Sequence, residues 1–170
     1  MTLDVTLEIP LLVAEPSYSD DDPRYELRAP VVLTPWRVLH AELVLLTGPG
    51  LTFWPGDDHF LGVLEVPAEG GWRWGVGQKT RFYWELGGGP DLLFVAATRV
   101  PLQFDAGLGT WTALGLRWDM GPFVATAGIR ARGRIGFDGI SASVAVDDQF
   151  HQWGWSPIRA SLGAFAGVVL

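Results

Sequence analysis

Residues 123–137, FVATAGIRARGRIGF, constrain the fold more than any other part of the chain. At every second residue one face reads Phe123, Ala125, Ala127, Ile129, Ala131, Gly133, Ile135, Phe137. The other reads Val124, Thr126, Gly128, Arg130, Arg132, Arg134, Gly136. A period of two with unlike faces marks a β-strand between two environments. The apolar face opens and closes on Phe, and the opposite face stacks three Arg. In a soluble sheet the apolar face is core and the Arg face meets water. In a membrane-spanning barrel the apolar face meets lipid and the Arg face looks into a lumen.

Composition supports an all-β chain. Its 170 residues suit one domain, 1–170, and 22 Gly, 12 Pro and 12% aromatics favour short strands and turns over helices. There is no cysteine and so no disulfide. Lys79 is the one lysine against eleven arginines; a solvated sheet face normally carries Lys, whereas Arg suits fixed ion pairs. A net charge of −7 argues against nucleic acid as a partner. No run of about 18 apolar residues forms a transmembrane helix. Residues 1–10 alternate Thr, Asp and Glu with Leu and Val, without a basic start and apolar stretch. The expectation is a mature or engineered form with no signal peptide.

Alternation continues along the chain and predicts ten strands: 3–13, 25–34, 37–46, 61–68, 72–86, 92–104, 110–120, 123–137, 140–147 and 157–170. Merging two weak ones would leave eight. Residues 15–23 and 48–60 read as loops. Glu69-Gly70-Gly71, residues 87–91, residues 105–109, Gly121-Pro122 and Asp138-Gly139 read as turns. Long connections then gather at one end, as in an up-and-down barrel of an outer membrane.

Aromatics on the apolar face fall near the ends of these strands: Trp72, Trp74, Phe82, Trp84, Phe94, Phe104, Trp118, Phe123 and Phe137. Strands tilted ~40° advance roughly 2.5 Å per residue along a barrel axis, so the step from Phe94 to Phe104 would span about 25 Å, the height of a lipid-facing band between aromatic girdles. The polar face mixes glycines with charges, as a crowded lumen would require. Its expected lining charges are Asp4, Glu8, Glu26, Arg28, Arg37, Glu42, Glu65, Arg73, Lys79, Arg81, Glu85, Arg99, Arg117, Asp119, Arg130, Arg132 and Arg134.

With dyad alternation, girdles, loop asymmetry and a last strand alternating Ile158, Ala160, Leu162, Ala164, Ala166, Val168 and Leu170, the chain resembles the small bacterial outer-membrane β-barrel proteins over its full length. The resemblance implies an up-and-down antiparallel transmembrane β-barrel, with ten strands favoured over eight. It also implies an outer-membrane location and membrane lipid as partner. Such proteins usually end in an aromatic residue, from which Leu170 departs.

Charge is uneven: residues 1–70 carry three basic and twelve acidic groups, residues 71–170 nine and seven. One reading is a porin-like pore with a transverse field that orients ions or small solutes. The other, favoured, is a plug of ion pairs in a barrel too narrow to conduct. Asp20-Asp21-Asp22, Asp57-Asp58-His59, Asp91, Asp147-Asp148 and His151 would share one rim, but no spacing matches a metal loop. His40 reads as a hydrogen-bonded filler, and Phe53, Trp54, Phe150, Trp153 and Trp155 as interfacial anchors. Gly75-Val76-Gly77-Gln78-Lys79-Thr80 lacks the Gly-Lys-Ser/Thr ending and following helix of a phosphate loop. No hydrolase motif occurs, and neither catalysis nor a cofactor or metal is expected. The expected function is a monomeric outer-membrane barrel, structural or forming a small pore with a charge-paired lumen. The alternative is a soluble calyx binding an apolar ligand, with Trp72, Trp74, Phe82 and Trp84 lining the pocket and Arg130, Arg132 and Arg134 exposed.

Overall fold

A computed structural model describes residues 2–14, 25–38, 41–55, 60–77, 80–97, 100–138, 140–146, 149–155 and 158–170. Its strands are β1 (Thr2–Ala14), β2 (Tyr25–Arg28), β3 (Val31–Val38), β4 (Ala41–Thr47), β5 (Gly50–Pro55) and β6 (Phe60–Val76). They continue with β7 (Thr80–Ala97), β8 (Val100–Asp119), β9 (Val124–Gly136), β10 (Ile140–Val146), β11 (Gln149–Trp155) and β12 (Ile158–Val169). All ladders are antiparallel. The order β12-β9-β8-β7-β6-β4-β3-β1 returns to β12, with Leu3 and Leu170 exchanging backbone hydrogen bonds of 3.0 and 2.8 Å at the seam. Closure leaves the eight-stave ring without an edge strand, which an open sheet in lipid could not do.

The sheet holds ten strands and the closed ring eight staves. The difference has a local cause. β2 and β5 pair with each other and continue β3 and β4 past Ala29-Pro30 and Gly48-Pro49. Proline supplies no ladder N–H, and Gly48 takes φ 115°, a conformation that favours glycine. Two neighbouring staves therefore break at the same level, joined there by Ala29 N–H donating to the Pro49 carbonyl at 2.9 Å.

Several expected turns fall inside strands. Residues 69–71 lie in β6, 87–91 in β7 and 105–109 in β8. The chain instead reverses between Val76 and Thr80 and between Ala97 and Val100. The segment read as a loop at 48–60 contains β5. Asp138 does not open a hairpin, because β9 pairs with β12 while β10 and β11 form their own ribbon. The glycine runs have another purpose. Gly70 pairs with Gly88, Gly71 with Gly87 and Gly89 with Gly109, in register across three staves. A Cβ on Gly71 would lie 2.6 Å from Gly87 Cα, so here backbones approach as only glycine permits.

One end of the barrel, the turn end, carries the connections after β3, β6 and β8 and the seam residues Leu3 and Leu170. The other, the loop end, carries the connections after β1, β5 and β7 and the β10–β11 ribbon. The apolar part of the interior includes a cluster of Val32, Val44, Leu46, Tyr83, Trp111, Ala113 and Phe165, and Val63, Leu93 and Val95 are buried as well.

Candidate functional site

The lumen is the one place where polar chemistry concentrates among the described residues. Each stave turns alternate residues inward, and inward residues include eight buried carboxylates: Asp4, Glu8, Glu42, Glu65, Glu69, Glu85, Asp91 and Asp105. Seven buried arginines meet them (Arg28, Arg73, Arg117, Arg130, Arg132, Arg134, Arg159), together with Arg81, whose side chain is 17% exposed. Described inward charges thus balance, eight against eight, as burial without water demands.

At the turn end Arg73 is the hub. It lies against Glu85, 2.8 Å from Asp4 and 3.5 Å from Glu42, and donates to Thr34 Oγ1 at 3.3 Å. Asp4 also meets Arg117, and Glu42 meets Arg81 at 2.7 Å. At mid-height Glu8 joins Arg130 at 2.9 Å and Arg28 at 3.4 Å. At the loop end Glu65 is the hub, 3.2 Å from Arg159, 3.5 Å from Arg28 and 3.7 Å from Arg132. Arg132 reaches Glu69 at 3.3 Å, and Arg134 reaches Asp105 at 2.9 Å and Asp91 at 3.7 Å.

Aromatic rings fill what the charges leave. Trp111 stands opposite Gly87, Tyr83 opposite Gly115 and Phe165 opposite Gly128. A Cβ on Gly87 or Gly128 would lie 2.7 Å from the facing ring, so each glycine lets a ring lie flat across the neighbouring stave. Arg130 sits 4.6 Å from the Phe165 ring and 5.8 Å from Trp111, and Tyr83 lies between Arg73 and Arg117 at 4.9 and 5.5 Å. Near Arg28, Glu65, Arg132, Arg134, Arg159 and Ser161 a cavity of about 10 Å³ remains, room for about one water.

The sequence and the structure differ at several site residues. Asp119 is exposed at the turn-end rim, where its Oδ1 accepts the Gly121 N–H at 2.9 Å; it follows the strand's last inward position. Asp91, expected on the loop rim, is buried because residues 87–91 continue β7. Glu69, Asp105 and Arg159 were missed as lining charges. For Glu69 and Asp105 the signal was strand phase, hidden by adjacent glycines that read as turns; Arg159 is in phase with Ser161 and Gly163. The side chains of Glu26, Arg37, His40, Phe53, Trp54, Phe150, His151, Trp153 and Trp155 lie outside the described residues, as do Lys79, Arg99 and the acidic stretches at 20–22, 57–59 and 147–148.

The outer face is apolar. Trp72 is 43% exposed, Trp74 38%, Phe82 52% and Trp84 44%, whereas Arg130 and Arg134 are 1% and 3% exposed. This overturns the calyx alternative, which needs those aromatics inside and those arginines outside. The height argument also changes. Phe94 and Phe104 face each other across β7 and β8 with ring centroids 5.3 Å apart, not at two ends of one strand. Trp74 and Trp84 likewise stack at 5.0 Å. Trp72, Trp74, Phe82, Trp84, Trp118 and Phe123 therefore gather toward the turn end, and Phe94, Phe104 and Phe137 toward the loop end. At ~2.5 Å per residue, Phe82 to Phe94 spans about 30 Å and Phe104 to Trp118 about 35 Å.

A closed antiparallel ring of eight up-and-down staves, charged within and apolar without, is the fold of the bacterial outer-membrane β-barrel proteins. The crystal structure of the outer membrane enzyme PagL aligns over 97% of this chain and 98% of that one, at TM-score 0.51 and 14% identity. That of Ail, the attachment invasion locus protein of Yersinia pestis, aligns over 99% and 95% at TM-score 0.43 and 12% identity. At that identity the likeness to PagL is one of fold. No protein-family model and no curated protein matches the chain.

Proposed function

We propose that this chain is an integral outer-membrane β-barrel with a closed, charge-paired interior, a structural element of the membrane rather than a conduit. The observation that carries the reading is its inverted partition: arginines and carboxylates are buried, while Leu7, Ile9, Trp84, Ile129 and Ile135 are 44–60% exposed around the ring. A soluble monomer rarely exposes so continuous an apolar surface. In lipid that surface is already in its preferred solvent, with the two aromatic groups near the waterlines. Eight staves, whose bore side chains just fill, and ion pairs that span that bore support the closed interior. The transverse field of a pore is unnecessary here, because each described inward Arg has a carboxylate within 4 Å. The reading includes no catalytic step, cofactor or metal, and takes the chain as a monomer.

The purified protein should need detergent, run as one species, show heat-modifiable mobility on gels and give no discrete current steps in planar bilayers. Stable monodispersity without detergent sinks the membrane reading. Discrete steps from the folded chain sink the closed one.

A further inference from the structure

The wall of the ring is not zipped evenly. β1 pairs with β3 at the turn end and with β12 as far as Ala14, but its ladder toward β2 stops at Glu8 opposite Arg28. Proline accounts for the stop. Thr6 N–H donates to the Pro30 carbonyl at 3.1 Å, so the even residues of β1 turn their backbone groups toward β3 and β2. Extending the ladder would set Pro10 opposite Glu26, and Pro10 has no N–H to donate. β1 then shifts register against β12 between Pro10 and Leu12, while β2 keeps its pairing with β5 from Tyr25 to Arg28. Among the described residues, 9–14 of β1 therefore pair with none of β2, and the wall parts there at the loop end.

Unpaired backbone at lipid depth is tolerated only where it lines a polar cavity or is covered. Such a cavity, of about 10 Å³, lies behind the parting, lined by Arg28, Glu65, Arg132, Arg134, Arg159 and Ser161. The levels match: Ser161 stands opposite Val13, and Arg28 of β2 reaches behind β1 to donate to Ser161 Oγ at 3.0 Å. Four arginines and one carboxylate face this space, because Glu8, Glu69, Asp91 and Asp105, which balance those arginines, do not line it. Arg134 is 3% exposed, and its Nη1 has no hydrogen-bond partner among the described residues. On the outside, Ile9, Leu11, Leu12 and Leu27 flank the parting, 48–67% exposed. An apolar flank leading to an arginine-lined cavity suits a molecule with a hydrocarbon chain and an anionic head. The cavity has room for about one oxygen of that head; the rest would fill the parting and cover the unpaired backbone. Resting on the membrane reading above, we propose that the parting between β1 and β2 is a lateral binding site for an anionic membrane lipid. Arg134 and the arginines beside it hold the phosphate or carboxylate of its head.

The test adds dodecyl phosphate to the purified full chain in maltoside micelles and reads binding by native mass spectrometry and by the shift in urea midpoint. Inorganic phosphate and dodecyltrimethylammonium are the comparison probes. The wild type should hold one dodecyl phosphate and bind either comparison probe at least about tenfold more weakly, since each lacks the chain or the anionic head. Arg134→Gln should weaken dodecyl phosphate by about tenfold, the worth of one charge-assisted hydrogen bond. Pro10→Val returns the missing N–H, lets β1 zip to β2 and touches no charge, so it should weaken binding by at least as much. It also decides the matter if Arg134→Gln does not fold, which heat-modifiable mobility reports. A folded wild type that holds no dodecyl phosphate overturns the proposal, as does binding that Pro10→Val leaves unchanged. Inorganic phosphate bound as tightly as dodecyl phosphate overturns it too, making the cavity a site for soluble anions. A chain that stays monodisperse without detergent defeats instead the membrane reading on which the proposal rests.

Discussion

The two ends of the lumen solve the same problem with opposite signs. At the turn end a cation, Arg73, gathers three carboxylates: Asp4, Glu42 and Glu85. At the loop end a carboxylate, Glu65, gathers three arginines: Arg28, Arg132 and Arg159. Both hubs are buried. The difference matters because carboxylates can be neutralised by a proton, whereas a guanidinium stays charged at any ordinary pH. A turn end that loses its hub has an escape that the loop end lacks.

Glu65→Gln therefore has the largest expected effect. It keeps the volume and leaves three buried arginines around a neutral amide. Breaking a buried pair in this way costs about 3–5 kcal/mol, and the loss should persist from neutral to acidic pH. Urea unfolding in detergent micelles at several pH values measures it. A near-neutral result would mean that the loop-end charges are open to solvent.

Arg73→Met should cost about as much at neutral pH, roughly 3–5 kcal/mol, because three carboxylates then face one another with one cation fewer. Its pH dependence has the opposite character. Carboxylates left crowded can shed charge by taking up protons, where guanidiniums cannot. Stability then rises as pH falls. If Arg73→Met and Glu65→Gln share one pH profile, the contrast between the two hubs is wrong.

Much of this was legible in the sequence. The inward phase of Asp4, Glu8, Arg73, Glu85 and the three arginines of β9 followed from alternation alone, because a pleated strand leaves no other choice of face. Strand ends were not legible. Gly70-Gly71, Gly87-Gly88-Gly89 and Gly107 carry the same composition as turns, yet they stand in register to make room for Trp111 and for close backbones. The reversal near Gly77 has a weaker signal than the false ones. Placing it correctly brings Trp74 against Trp84, and placing the next one brings Phe94 against Phe104. Partner choice across the bore was also beyond the sequence: Arg130 pairing with Glu8 and Arg73 with Asp4 depend on ring closure and stagger.

Gly71→Ala tests that account of the glycines. Its Cβ would fall against the Leu86 carbonyl and Gly87 Cα, both backbone atoms that can yield only by moving the β6–β7 ladder. Overpacking of this kind costs about 1–3 kcal/mol. The same change at a surface turn would be far cheaper, so a value near zero would favour the turn reading. The variant lies between the two ion-pair groups and should leave their different pH responses unchanged.

The smallest effect belongs to Asp119→Asn, and it sets the limit of the turn-end group. Asp119 follows Arg117 in phase along β8, which made it a lumen charge by alternation. One step beyond the last buried position, however, it meets water and caps Gly121, whose φ of 87° fixes the turn into β9. An asparagine oxygen can accept the same N–H, and an exposed charge contributes little to stability. The expected loss is below about 1 kcal/mol with no change in pH profile. A loss approaching that of Arg73→Met would put Asp119 inside the paired interior and extend the turn-end network to the mouth of the barrel. A small one fixes its boundary at Arg81 and Arg117, the last inward cations before solvent.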